Sequence, residues 1–312
     1  MIDPSPYQPL SALVPLDGSE LSERALAAAL AAIGRDGHLV VLTVPRALGA
    51  DLAWYYAHYG VPGSVPIEYP ALEEVMAESR TEAAAYLDGI KARLAADGVR
   101  ATQVLAEDAP AQAIDAAATA HDVDFIAIAT HGRGGLGRWA LGSTATKLLQ
   151  TATVPILLIR AGAERSLERI EKIDVALDGS DLAEEVLEPV MALARRHGAV
   201  VRLVHVVQTP DHPVGTDTLA LEAEITKIAE TYLGEVAARL EGVGVAVSPW
   251  VTAGADIADV LARCAEQDDA DLLAMTTHGR GGFSRWVYGS VADRLVRHGE
   301  VPLLIQRVGE AG

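Results

Sequence analysis

An internal repeat limits the folds open to this chain more than any other feature does. The stretch ATHGRGGLGRWALGS begins at Ala129 and TTHGRGGFSRWVYGS begins at Thr276, so equivalent residues differ by 276 minus 129, or 147. A second pair, VPLDGS and VALDGS, ends at Ser19 and at Ser180, a difference of 180 minus 19, or 161. Because both motifs occur in the same order twice, the repeat predicts a duplicated domain.

The length of the chain agrees with a duplication. With 312 residues it has room for two domains of about 150 residues each, and we expect these domains at 1–164 and 165–312. The segment AGAERSLERIEK at the join is short and charged, which predicts that the halves pack against each other. Two contacting copies of one fold predict an internal pseudo-dimer, and a homodimer of whole chains is a second expectation.

Apolar runs alternate with amphipathic stretches in both halves. Strands are predicted at 12–16, 39–44, 101–105, 125–130 and 155–160, and again at 173–177, 201–207, 245–251, 272–276 and 302–306. Helices are predicted between the strands of the first half at 22–33, 72–96, 110–121 and from 143 onward, with the same order in the second half. This alternation predicts an α/β fold of two tandem, doubly wound, Rossmann-like domains, each with a five-stranded parallel sheet.

Charge and cysteine content exclude several classes of function. A net charge of −18 disfavours binding to nucleic acid or to an anionic membrane, since both need clustered Lys and Arg. No apolar run approaches the roughly 20 residues of a membrane span, and no signal peptide is recognisable, so we expect a cytoplasmic protein. The single Cys264 permits no intramolecular disulfide, and His131 and His278 have no metal-ligand partners at suitable spacing, so we expect no zinc site.

The glycine-rich repeats have the composition of an anion-binding loop. Each follows a predicted strand and leads into a helix at Gly142-Ser143 or at Gly289-Ser290. Glycines allow backbone N–H groups to approach a phosphate closely, and a helix start adds unpaired N–H donors and a positive dipole end. Arg133 adds positive charge to this loop in an acidic protein. The alternative is a tight turn whose glycines serve the backbone alone and whose serine only caps the helix.

Two established phosphate motifs do not describe these loops. The P-loop pattern GxxxxGK[ST] is absent, which excludes a P-loop NTPase. The first loop matches GxGxxG from Gly132 to Gly137, but it follows the fourth strand rather than the first, and Ser284 replaces the third glycine in the second copy. No acidic residue ends a strand about 20 residues later, so a nicotinamide-dependent dehydrogenase is rejected.

Both halves resemble the universal stress protein family, over nearly the whole chain. ATP-binding members of that family carry G-x2-G-x9-G-[ST] after the fourth strand and an Asp after the first strand, and both copies contain these patterns. The resemblance implies domains of the adenine-nucleotide-binding type, with one site in each half. The implied binding residues of the first half are Asp17, Val44, Ala129, His131, Gly132, Arg133, Gly142, Ser143 and Thr144. Those of the second half are Asp178, Val206, Gly254, Thr276, His278, Gly279, Arg280, Gly289, Ser290 and Val291.

Three positions depart from the family pattern. The first loop glycine of the family is Ala129 in one copy and Thr276 in the other, where a Cβ atom either crowds the phosphates or points away. A glycine after the third strand is matched by Gly254, whereas Asp108 stands in the first copy. Because a carboxylate near a polyphosphate is unfavourable, we expect the second site to be the stronger one.

The resemblance implies a protein that binds ATP and acts in stress response or regulation, with slow hydrolysis at most. Mg²⁺ or Mn²⁺ is expected only with the nucleotide, held mainly by its phosphates. No catalytic residues are predicted, because neither half shows a nucleophile with an evident base. Two alternatives stay open: a nucleotide-free interaction module with one or both sites vestigial, and an adenylating enzyme. The second is disfavoured because LDGS, not an SGGxDS-like loop, follows the first strand.

Overall fold

The computed structural model describes residues 9–45, 69–130, 141–160, 167–209, 216–277 and 289–308. In this part of the chain the strands are β1 (Ser11–Pro15), β2 (His38–Thr43), β3 (Arg100–Leu105), β4 (Phe125–Thr130), β5 (Ile156–Arg160), β6 (Lys172–Ala176), β7 (Val200–Gln208), β8 (Val247–Gly254), β9 (Leu272–Thr276) and β10 (Leu303–Gln306). The helices are α1 (Glu20–Ile33), α2 (Tyr69–Ala96), α3 (Pro110–Ala120), α4 (Ser143–Thr151), α5 (Asp181–Glu184), α6 (Leu187–His197), α7 (Thr216–Glu241), α8 (Ile257–Gln267) and α9 (Ser290–His298).

All of these strands join one sheet in the order β3-β2-β1-β4-β5-β10-β9-β6-β7-β8. Neighbouring strands within each half are parallel, and the two halves meet where β5 and β10 pair antiparallel. Each half is therefore the doubly wound, five-stranded parallel domain that the sequence predicts. Its strands are parallel because each connecting helix returns the chain to the edge of the sheet at which the previous strand began.

The joint between the halves has approximate two-fold symmetry. Leu157 of β5 lies opposite Leu304 of β10, and these residues differ by 304 minus 157, or 147, the offset of the repeat. Equivalent residues therefore meet each other at the centre of the joint, as in the isologous interface of a homodimer. The internal pseudo-dimer expected from the sequence is confirmed.

Helices cover both faces of the sheet and enclose two apolar clusters. One cluster gathers side chains from α1, α2, α5, α6 and α7, and the other gathers side chains from α3, α4, α8 and α9. Both clusters include residues of both halves, so the apolar core continues across the joint. Leu148 of α4 and Leu13 of β1 are fully buried, and each such leucine contributes about 1.5–3 kcal/mol to folding.

Polar contacts reinforce the joint where α1 meets α6. Arg196 pairs with Asp36, and the ring Nε2 of His197 lies 2.8 Å from the carbonyl oxygen of Ala32. Gly34 ends α1 with φ +65°, a conformation that favours glycine. A Cβ atom at Gly34 would also meet the Arg196 guanidinium at 1.8 Å, so a side chain at this position would displace that guanidinium.

Most predicted strand ends are correct to within one or two residues, but β8 is displaced. The sequence predicts 245–251, whereas the strand runs from Val247 to Gly254. Gly244 has φ +86° and turns the chain after α7, which delays the start of the strand. The long partner β7 pairs with β8 as far as Gln208 and Gly254, which extends its end.

Candidate functional site

The repeated motifs follow strands that are neighbours at the centre of each half. The motif LDGS follows β1 or β6, and the glycine loop follows β4 or β9. β1 pairs with β4, and β6 pairs with β9, although the chain leaves these strands in opposite directions along the sheet. The carboxyl edge at such a switch point is where doubly wound folds bind ligands.

Asp17 shapes the turn that follows β1. Its Oδ1 accepts hydrogen bonds from the backbone N–H of Ser19 at 3.0 Å and from the Ser19 hydroxyl at 2.5 Å. The hydroxyl oxygen of Ser19 in turn accepts from the N–H of Ser22 at 3.1 Å and caps α1. Gly18 between them has φ +80°, which explains the glycine of LDGS.

The second half repeats this turn around Asp178. Its Oδ1 accepts from the Ser180 N–H at 3.0 Å and from the Ser180 hydroxyl at 2.6 Å, and Ser180 caps α5 through the N–H of Ala183 at 3.2 Å. Gly179 has φ +84°. The turn-and-cap role of both aspartates is thus present, and it holds a carboxylate in a defined orientation at the carboxyl edge of each half.

Two half-buried valines line the same edge beside the aspartates. Val44 directly follows β2, and Val206 lies at the equivalent place in β7; both pack on the cluster that includes α4 and α9. The buried Thr43 donates its hydroxyl hydrogen to the carbonyl oxygen of Leu16 at 2.9 Å and ties the ends of β1 and β2 together. An apolar surface next to a fixed carboxylate fits the edge of a heteroaromatic base.

The helices that follow the glycine loops begin without a side-chain cap. Gly142 and Gly289 are the N-cap residues of α4 and α9, with nearly equal φ, ψ angles of −57°, 150° and −60°, 153°. By contrast, α1, α5 and α8 are capped by Ser19, Ser180 and Asp256, whereas α3 and α6 also begin without a side-chain cap but do not follow a glycine loop. Within the described ranges, the first-turn N–H groups of α4 and α9 therefore receive no capping side chain, and Ser143 and Ser290 lie exposed at these helix starts. Unpaired N–H groups at the start of a helix can donate hydrogen bonds to a phosphate.

A close backbone contact explains why residue 289 is a glycine. Its N–H donates to the carbonyl oxygen of Thr277 at 2.8 Å, and a Cβ atom at Gly289 would lie 2.9 Å from that same oxygen. The residues on both sides of the second glycine loop are thus in contact, which brings the end of β9 to the start of α9. This contact between Gly289 and Thr277 explains the glycine more directly than contact with a phosphate would.

Ala129 and Thr276 lie within strands and not in the loops. Ala129 is the penultimate residue of β4 and packs on the cluster that includes α1, on the opposite face of the sheet from α4. Its methyl group therefore does not compete for space with the start of α4. Thr276 ends β9 and is 5% exposed.

The first half has carboxylates at the positions that correspond to Gly254 and its neighbour. Gln103 is opposite Val41, and Pro249 is opposite the equivalent Leu203, so β3 and β8 are offset by 146 (249 − 103) and Gly254 corresponds to Asp108, as the sequence suggests. The N-cap residues of α3 and α8, Ala109 and Asp256, differ by 147, so the second half has one more residue between this strand and this helix. Glu107 is exposed and pairs with Arg80 at 3.0 Å. Gly254 ends β8, and a Cβ atom there would meet Cγ2 of Val260 at 2.5 Å. The first half thus has two carboxylates where the second half has two small residues.

Six of the expected binding residues lie outside the described residues: His131, Gly132, Arg133, His278, Gly279 and Arg280. Thr144 and Val291 follow the exposed serines in the first turns of α4 and α9 and are half-buried. The structure thus brings the Asp turns, the valines and the uncapped helix starts to one edge of each half. Sequence reasoning gave no role to Thr43 and Thr277, and the available signal was their position at the end of β2 and directly after β9.

Comparison with known proteins gives a consistent result over both halves. The model of the universal stress protein family matches residues 11–160 and again residues 169–307. A universal stress protein of Mycolicibacterium smegmatis is 26% identical over 217 residues, or 66% of this chain and 68% of that protein. The Bacillus subtilis universal stress protein YxiE is 30% identical over 149 residues, or 47% of this chain and 97% of that protein.

Among solved structures, a universal stress protein from Archaeoglobus fulgidus matches with a TM-score of 0.65 and 20% identity. The match covers 97% of this chain and 100% of that one, so the similarity of fold extends over both halves. None of the helices in the described ranges combines the length and the apolar character that crossing a membrane requires.

Proposed function

The chain belongs to the universal stress protein family, and from this premise we propose that each half binds one adenine nucleotide, with ATP as the preferred ligand. The observation that carries the proposal is the uncapped start of α4 and of α9 at the same edge as a fixed aspartate and a half-buried valine. In each half the phosphates lie at the helix start, and the base lies against the valine and near Asp17 or Asp178.

The phosphate side of each site uses backbone donors first. The N–H groups of the first helical turn and the positive end of the helix dipole attract a polyphosphate. The hydroxyls of Ser143 and Ser290 add a donor at each helix start, and the loop residues Gly132, Arg133, Gly279 and Arg280 complete the proposed cradle. Mg²⁺ or Mn²⁺ accompanies the nucleotide and neutralises phosphate charge.

The second half is the stronger site in this proposal. Ala253 and Gly254 stand where the first half has Glu107 and Asp108. The carboxylate that precedes α8 in the second half, Asp256, accepts from the Asp259 N–H and pairs with Arg294, so its charge is compensated. Glu107 is partly compensated by Arg80, which reduces but does not remove the difference between the halves. We expect sequential binding, with the second half filled at lower ATP concentration.

The biochemical role that fits this site is ligand-dependent regulation rather than turnover. Neither half offers a nucleophile paired with a base among its candidate residues, and binding alone gives no group that activates water. A protein of this kind reports or responds to adenine nucleotide levels during stress, with slow hydrolysis at most.

Titration calorimetry with nucleotide-free protein, ATP and Mg²⁺ tests the proposal, with two charge variants to assign the sites. Ser290→Glu places a carboxylate at the start of α9, where it favours the helix dipole but repels a phosphate. Ser143→Glu does the same at α4. We expect each variant to keep its unfolding temperature and to lose one binding equivalent, with the larger loss of affinity for Ser290→Glu. Absence of both heat and thermal stabilisation by ATP in the unmodified protein would refute the proposal.

A further inference from the structure

A cluster of three polar side chains occurs in both halves beside the Asp turn. Each cluster joins a tyrosine and an arginine of the long helix to a glutamate of the helix that follows the turn. The members are Tyr86, Arg93 and Glu23 in the first half, and Tyr232, Arg239 and Glu184 in the second. The tyrosines and arginines differ by 146 (232 − 86 and 239 − 93), and the glutamates by 161 (184 − 23). Both copies thus retain the cluster although their surrounding sequences differ.

The helices bring the three groups together by their geometry. Tyrosine and arginine are seven residues apart, which is close to two turns, so both lie on one face of α2 or α7. In the first half the Nη2 of Arg93 lies 2.9 Å from the Oε2 of Glu23. In the second half Arg239 pairs with Glu184 in the same way. The arginine therefore holds the glutamate in place next to the tyrosine.

The tyrosine hydroxyls point into a closed, negatively charged environment. The hydroxyl oxygens of Tyr86 and Tyr232 are buried, and neither forms a hydrogen bond of good geometry within the described residues. Burial, and then the neighbouring Glu184 carboxylate and Asp178, raise the pKa of Tyr232; burial and Glu23 also raise the pKa of Tyr86. Each hydroxyl thus keeps its proton and remains a donor that faces carboxylates. Because buried polar groups are usually hydrogen-bonded, the facing glutamate is the acceptor that each tyrosine hydroxyl needs.

A continuous set of contacts links this cluster to the proposed base side of the nucleotide site. In the first half the N–H of Glu23 donates to the carbonyl oxygen of Ser19 at 3.3 Å, and the Ser19 hydroxyl donates to Asp17. In the second half the N–H of Ala183 donates to the carbonyl oxygen of Ser180 at 3.1 Å, and the Ser180 hydroxyl donates to Asp178. The helix turn that carries the glutamate is therefore the same turn that orients the aspartate.

We propose that Tyr86 and Tyr232 are positioning residues for base recognition: each hydroxyl, through its neighbouring glutamate, fixes the turn that presents Asp17 or Asp178 to the nucleotide. This inference rests on the proposed function of the two sites. The tyrosines act through the aspartates and do not contact the phosphates. Their contribution is therefore confined to the part of the affinity that depends on the base.

The two halves differ in how much the turn depends on the cluster. α1 continues for 14 residues after its cap, whereas α5 has only 4 residues and ends at Glu184. A longer helix holds its first turn through its own hydrogen bonds and its burial. Loss of the hydroxyl of Tyr232 thus affects the second site more than loss of the hydroxyl of Tyr86 affects the first site.

The experiment uses Tyr232→Phe, which keeps the ring and removes only the hydroxyl, in a Ser143→Glu background that leaves the second site alone to bind phosphates. ATP and inorganic tripolyphosphate are titrated into the same proteins. We expect ATP affinity to fall roughly three- to tenfold, the effect of about one hydrogen bond, while tripolyphosphate affinity and the unfolding temperature stay unchanged. In the matched pair, Tyr86→Phe in a Ser290→Glu background, the loss of ATP affinity is smaller.

A double-mutant cycle with Asp178→Asn tests the route of the effect. If Tyr232 acts through Asp178, then Tyr232→Phe causes no further loss of ATP affinity once Asp178 is replaced. Equal losses for ATP and tripolyphosphate, no loss for either, or an undiminished loss in the Asp178→Asn protein would each overturn the inference while leaving ATP binding intact. A Ser143→Glu protein that binds tripolyphosphate but shows no preference for ATP overturns the proposed function together with this inference.

Discussion

Replacing Arg202 with valine leaves a carboxylate buried in the sheet of the second half without its main partner. Asp174 of β6 and Arg202 of β7 are directly opposite each other in the register, and Asp174 is 1% exposed. The Nε of Arg202 lies 2.9 Å from the Oδ1 of Asp174, and its Nη2 lies 2.5 Å from the Oδ2. Arg202 also pairs with the more exposed Asp268 at 2.9 Å and stacks 4.2 Å above the centre of the Trp250 ring.

The first half of the chain provides the apolar version of this pair. Leu13 and Val40 occupy the corresponding positions of β1 and β2, are likewise opposite each other in the register, and are fully buried. The same fold thus accepts either an ion pair or two aliphatic side chains at this place. The double variant Asp174→Leu/Arg202→Val places the aliphatic pair of the first half at this position in the second half.

The free energies of unfolding follow from the cost of burying charge. Breaking a buried pair by removing one partner costs about 3–5 kcal/mol, whereas replacing the whole pair with apolar groups is often neutral or stabilises by about 1–4 kcal/mol. The Trp250 contact adds about 0.5–2 kcal/mol to the loss in any Arg202 variant. We therefore expect Arg202→Val to lose about 3.5–7 kcal/mol and the double variant to recover at least half of that loss.

Urea unfolding, followed by circular dichroism, measures these differences at neutral and at acidic pH. Burial already raises the pKa of Asp174 although Arg202 opposes the shift, and removal of Arg202 raises it further. The penalty for the ionised carboxylate is fully present above this raised pKa and disappears as the pH falls towards the unfolded value. The deficit of Arg202→Val should therefore shrink at acidic pH, and that of the double variant should not. A double variant as unstable as Arg202→Val would refute the reasoning.

Three further variants test the site and its supports. Gly254→Ala brings a Cβ atom to within 2.5 Å of Val260 Cγ2 and should lower the free energy of unfolding by about 1–3 kcal/mol. Val260→Ala should relieve part of that cost in the double variant. If the two losses of unfolding free energy were strictly additive, the proposed clash would be contradicted. Ser180→Ala removes the cap of α5, so thermal unfolding should show a loss of about 1 kcal/mol in the free energy of unfolding. Calorimetry should show weaker ATP binding by the second half. An unchanged ATP affinity would show that the cap does not contribute to binding. Gly289→Val places a Cβ atom 2.9 Å from the Thr277 carbonyl oxygen and should abolish ATP binding by the second half alone; an unchanged ATP stoichiometry would contradict the assigned site.

The fold was predictable because its determinants are local and repeated. Alternating strands and helices, the caps at Ser19 and Gly34, and the offsets of 147 and 161 all follow from patterns that a single sequence displays. The antiparallel pairing of β5 with β10 was not predictable in this way. It depends on contact between distant segments, and only the duplication indicated that such a contact should be symmetric.

The candidate site was predictable in its residue types but less so in its details. The equivalence of Gly254 with Asp108 agrees with the strand register, whereas the additional residue before α8 was not apparent from the motif offsets. Ala129 lies in β4 as the predicted strand at 125–130 has it, and the structure adds that its methyl group packs on the cluster that includes α1. The Tyr232 cluster was missed because its members come from two helices about 50 residues apart in the chain, and helix periodicity alone does not reveal contacts between helices.

Native mass spectrometry of the intact chain with added ATP and Mg²⁺ tests the central claim most directly, because it counts nucleotides per molecule. We expect two bound ATP molecules at saturation, with the second half filled first, and one in either the Ser143→Glu or the Ser290→Glu protein. A chain that binds no ATP under these conditions, or variants that both retain two, would contradict a duplicated nucleotide site.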